Sequence, residues 1–106
     1  MNYFAEVRAH AQFAAEKMKK NNLFTTERLF CDVYCFESGQ EQAVHTHNGS
    51  DKVYYVIEGT ARIRIGAEER EVGPGTAALA PSGVPHAIKN AGPDRLQVIV
   101  LMAPKP

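Results

Sequence analysis

The sequence predicts an all-β barrel or sandwich preceded by one N-terminal α-helix, on three observations. From Leu29 onward, short β-rich runs follow one another, each ended by Gly, Pro, Asn or Asp. The turns recur at the steady spacing of a sandwich or jelly roll. Helical spacing of apolar residues is confined to the segment before Asn21.

That first segment runs from Tyr3 to Lys20. Phe4, Val7, Ala11, Ala14 and Met18 recur at helical spacing with charges between them, and Asn21-Asn22 is a stop signal. Lys17, Lys19 and Lys20 would then lie at the negative end of the helix dipole, and His10 on its polar side. The 106 residues make one domain. It divides into residues 1–22, a helix packing on the barrel, and 23–106, the barrel itself.

Strands are expected over Leu29–Phe36, Ala43–His47, Lys52–Glu58, Thr60–Ile65, Glu69–Val72, Thr76–Ala80, His86–Lys89 and Leu96–Met102. Arg62-Ile63-Arg64-Ile65 alternates as one wet and one dry face require, whereas Leu96–Met102 is nearly all apolar, as in a strand covered on both sides. Gly59, Gly75 and Gly83 fall at turns that call for positive φ. Phe30, Phe36, Val56 and Ile88 are core candidates.

Charge excludes some functions. The formal net charge is zero and neither sign forms a long block. Nucleic-acid binding needs a basic stripe to replace counterions, so that partner is not expected. No apolar run is long enough to span a bilayer, and the start lacks a signal-peptide pattern. The expectation is a cytoplasmic protein with no membrane partner. Cys31 and Cys35 on one strand would lie ~13 Å apart, too far for a disulfide, and read as small buried hydrophobes.

Three of the four histidines lie where chemistry could occur. His45 and His47, two apart on a strand, project from one face and can converge on one ion. His86 follows the turn Pro81-Ser82-Gly83-Val84-Pro85. A His-x-His pair alone is a weak signal, more often a surface feature. Its surroundings strengthen it. Gly39-x5-His45-x-His47, with Gly59 downstream, resembles the first motif of the cupin family. Gly75-x5-Pro81-x-Gly83-x2-His86-x3-Asn90 resembles the second at every fixed position.

The similarity is to the small single-domain cupins of the conserved-barrel type, and covers Leu29 to Met102. It implies a double-stranded β-helix, or jelly-roll barrel, with a metal site inside near one mouth. One position departs from the family. Where the first motif carries a ligating glutamate, this chain has Lys52, which has no lone pair as an ammonium. Asp51 stands beside it. Strand neighbours face opposite sides, so two arrangements are open. Either Asp51 turns inward as an oxygen ligand, or Lys52 occupies the pocket beside three histidines and water. As a third possibility, Asp51 is a turn residue after Asn48-Gly49-Ser50.

The metal set is therefore His45, His47, His86 and Asp51, with Lys52 and Tyr54 as candidates for touching a bound ligand. Tyr54 could instead be core, its hydroxyl satisfied. Three imidazoles with an optional carboxylate suit one divalent ion of Zn, Fe, Mn, Ni, Co or Cu. Asn90 is expected to hold a turn, and Glu58 to sit exposed at one. The resemblance implies a metal-binding protein that acts on or binds a small molecule in the barrel. A metal-dependent dioxygenase or isomerase is one reading, and a non-catalytic ligand-binding or sensing module is the alternative. No acid–base pair is visible. A homodimer is expected, because a small open jelly roll has edges to protect.

Overall fold

A computed structural model describes residues 3–106. A short helix, α1 (Val7–His10), precedes nine strands. They are β1 (Lys19–Thr25), β2 (Phe30–Phe36), β3 (Glu41–His45), β4 (Asp51–Glu58), β5 (Ala61–Ile65), β6 (Glu68–Val72), β7 (Ala77–Ala80), β8 (His86–Asn90) and β9 (Leu96–Ala103). Every pairing is antiparallel, in two sheets ordered β1-β2-β9-β4-β7 and β3-β8-β5-β6.

Alternation builds the core. Tyr34, Phe36, Tyr54, Val56, Val98 and Val100 from the larger sheet meet Ala61, Ile63 and Ile88 from the smaller one. Arg62 and Arg64 face solvent, alternating with buried Ala61 and Ile63. β9 is largely buried, although Leu101 on its outer side is exposed. Phe30 is half-buried and lies outside the central cluster.

The predicted N-terminal helix is present, and its extent is corrected. Among the described residues helix extends over Val7–His10 alone and buries none of its side chains, and Phe4 is 91% exposed. Residues 1 and 2 of the predicted unit 1–22 lie outside the described residues. A lone helix this short has little stability without a packed face. The backbone that would have continued it is bonded elsewhere. Gln12 O accepts from Asn21 Nδ2 (3.1 Å), and Ala14 O from Gln40 Nε2 (2.7 Å). Lys19 and Lys20 are not at a helix end but open β1, which pairs with β2. The boundary drawn at residue 22 thus falls inside the sheet. Asn21-Asn22, read as a stop, sits mid-strand with side chains bonded to Val33 O and Asp32 Oδ1.

Candidate metal centre

Two of the three histidines arrive from adjacent strands. β3 and β8 pair with His45 directly opposite His86. His47 lies just beyond β3 and is held by Gly83 N, which donates to its carbonyl at 2.7 Å. Ring centroids are 4.2 Å apart for His45 and His86, 4.9 Å for His45 and His47, and 5.5 Å for His47 and His86. One ligating atom from each lies within 4.8 Å of the others.

Hydrogen bonds fix which nitrogen faces inward. A carbonyl can only accept, so a ring nitrogen bonded to one carries the proton. His45 Nδ1 donates to Ala43 O (2.8 Å) and His86 Nδ1 to Val84 O (2.9 Å). Both Nε2 atoms are thereby unprotonated and able to accept, the arrangement common to metal-binding histidines. His86 is 1% exposed and its Nε2 has no protein partner. A buried acceptor left unbonded is costly, and a cation there would satisfy it. Burial pushes His45 down to about 4, and lowers His47 and His86 as well; Lys52 adds like-charge repulsion to all three. The rings are therefore neutral at pH 7, the form a metal binds. This donor set fits a divalent ion.

The inward neighbour is Lys52, not Asp51. Lys52 is 1% exposed, with Nζ 3.4 Å from His45 Nε2 and 3.1 Å from Gln42 Oε1. Burial lowers it to about 8, helped by Lys20 and opposed by Asp32. The expectation of Asp51 as fourth ligand is corrected. Its side chain points outward, as strand alternation demands once Lys52 is inside. There Asp51 Oδ1 accepts from Ser82 N (2.9 Å), and Ser82 Oγ from Gly49 N (2.7 Å). Asp51 thus braces the loop after His47 against the turn before His86.

Tyr54 lines the interior, its ring 6.2 Å from that of His86. Its hydroxyl is buried without a partner, contrary to the satisfied hydroxyl of the core reading. Burial raises its pKa, so it stays protonated. Cys31 and Cys35 are free thiols, and His10 and Glu58 are exposed as expected. Asn90 ties turns together, donating to Phe36 O (3.1 Å) and Asp94 O (2.8 Å). Gln42 is the site residue the sequence reading missed. On a regular strand Gln42 and His45 face opposite sides; a bulge between them turns both inward.

Comparison with known proteins adds a family and a fold. A family model described as Cupin domain matches residues 32–102. An uncharacterized protein of Streptomyces coelicolor is 32% identical over 82 residues, 76% of each chain. The crystal structure of the protein TT1209 from Thermus thermophilus superposes with a TM-score of 0.94 at 42% identity, covering 97% of this chain and 98% of that one. A Klebsiella pneumoniae protein with a double-stranded β-helix domain has a TM-score of 0.91 at 23% identity, over 98% of this chain and 91% of its own.

Proposed function

The chain belongs to the cupin family, and on that premise we propose that His45, His47 and His86 hold one divalent metal ion at which the barrel binds a small molecule. The observation that carries this reading is the pair of inward Nε2 lone pairs, fixed by the bonds to Ala43 O and Val84 O, with that of His86 buried and unpartnered. Such an ion would supply Lewis acidity or, if iron, oxygen activation, and three protein ligands leave coordination positions open. The protein's own part is to orient the imidazoles, exclude water and present Lys52 and Tyr54 as donors beside the ion. A dioxygenase or isomerase is compatible with that arrangement. The alternative, a non-catalytic ligand-binding module, is supported by the cluster itself: among the described residues no carboxylate joins it to move a proton. The chain is further proposed to act as a homodimer.

Elemental analysis of metal-reconstituted protein tests the site. About one equivalent of metal is expected in the parent chain, lost in His47→Ala and in His86→Ala. Asp51→Ala should keep its metal and lose only about tenfold in affinity, as a residue that braces ligands without binding the ion. Equal metal content in the parent and both histidine variants would refute the reading. Turnover by the loaded protein on a panel of small molecules then separates enzyme from binding module.

A further inference from the structure

Among the described residues no carboxylate joins the three histidines inside this barrel, although the charge of Asp32 reaches Lys52. The His45 Nε2 lone pair that faces Lys52 Nζ at 3.4 Å is the one a metal ion would take. A metal there frees one Lys52 N–H and sets a second electropositive centre beside it. Gln42 Oε1 occupies another Lys52 N–H at 3.1 Å. The carboxylates close by in sequence or sheet are committed elsewhere, Asp51 to Ser82 N and Asp32 to Asn22 Nδ2. A buried donor and a buried cation left without an acceptor are both costly. With an ion on His45 Nε2, Gln42 Oε1 is the one side-chain acceptor left to Lys52 among the described residues, and the freed N–H has room for an acceptor from a ligand.

We propose that the ligand is a small carboxylate, one oxygen directed to the ion held by His45, His47 and His86 and the other to Lys52 Nζ. Lys52 is then the residue that sets ligand class, and Gln42 positions its ammonium. Two adjacent electropositive points match the two oxygens of a carboxylate. A phosphate would bring further oxygens against the aromatic faces of Tyr34 and Tyr54, whose ring centroids lie 5.3 and 5.0 Å from Nζ. The Tyr54 hydroxyl, buried and unpartnered, is one more donor for an acceptor inside the barrel.

The inference rests on the metal reading above, and the test separates the two. Cobalt(II)-loaded protein is titrated with acetate, acetamide and inorganic phosphate, the visible absorption of the ion reporting binding and its content being measured in the same samples. Acetate should perturb the spectrum, and acetamide and phosphate should do so only at far higher concentration. Lys52→Met and Lys52→Gln should retain cobalt and weaken acetate by about tenfold to a hundredfold, the worth of a hydrogen bond to a charged group. Lys52→Glu should bind cobalt more tightly and lose the acetate response, since the chain then supplies the carboxylate itself. Cobalt bound equally with acetate affinity unchanged in the Lys52 variants overturns this inference alone. Phosphate or acetamide binding as tightly as acetate also overturns it. Failure of the parent chain to hold cobalt overturns both readings.

Discussion

Single residues set the pH behaviour of this barrel. His45 titrates at about 4 in the folded chain, chiefly through burial, against 6.5 when unperturbed. Between those values the unfolded chain binds more protons, so acid favours unfolding. The stability tied to a neutral His45 is complete above 6.5 and drains away as the pH falls through about 4. The melting temperature of metal-free protein should therefore drop across that window, and more shallowly in His45→Gln; parallel curves would show that His45 is not responsible. Protons compete for the same nitrogens, so metal affinity should weaken on acidification as well. Asn90 makes a separate prediction. Asn90→Ala leaves the buried carbonyl of Phe36 and the partly buried one of Asp94 without their donor. It should cost about 2 kcal/mol in chemical denaturation and leave metal content unchanged.

Turns and bulges decide what each strand presents. Gly59 has φ +87°, and a Cβ there would lie 2.4 Å from Arg95 O. Gly59→Ala should destabilise by more than ~2 kcal/mol, read from urea unfolding, because left-handed strain and a backbone clash add. Gly75 also has positive φ, +91°, but open space around it, so Gly75→Ala should cost less. Eight of the nine strands were legible in the sequence to within a residue or two, because Val, Ile and Tyr runs broken by Gly and Pro carry a local signal. β1 was not. Lys19-Lys20-Asn21-Asn22 has no β-propensity and becomes strand only by pairing with β2, a tertiary cause. The histidine cluster was legible because its ligands sit at fixed spacing around glycines. The choice between Asp51 and Lys52 was not, since alternation fixes only that they face opposite ways. Gln42 was hidden by a bulge that no residue type announces.

At the scale of the molecule, the outer face of the larger sheet carries the case for a dimer. Val53 pairs with both Leu79 and Leu101, so these side chains form one row, with Tyr55 in the next. Tyr55, Leu79 and Leu101 are 44%, 54% and 39% exposed. Apolar groups gathered on one exposed sheet face make it the candidate contact with a second copy. Sedimentation of the parent chain should give twice the chain mass, and Leu79→Lys should give the single chain with its metal intact. A parent chain that sediments as a monomer removes this face from consideration. The strand order has another consequence. β2 and β4 do not bond to each other; each bonds to β9, which lies between them. During synthesis, therefore, the larger sheet has no centre until the segment from Leu96 to Ala103 has left the ribosome. Until then β2 and β4 both offer raw edges to neighbouring chains, and a nascent chain stalled before Leu96 would be a client for chaperones and not a smaller barrel.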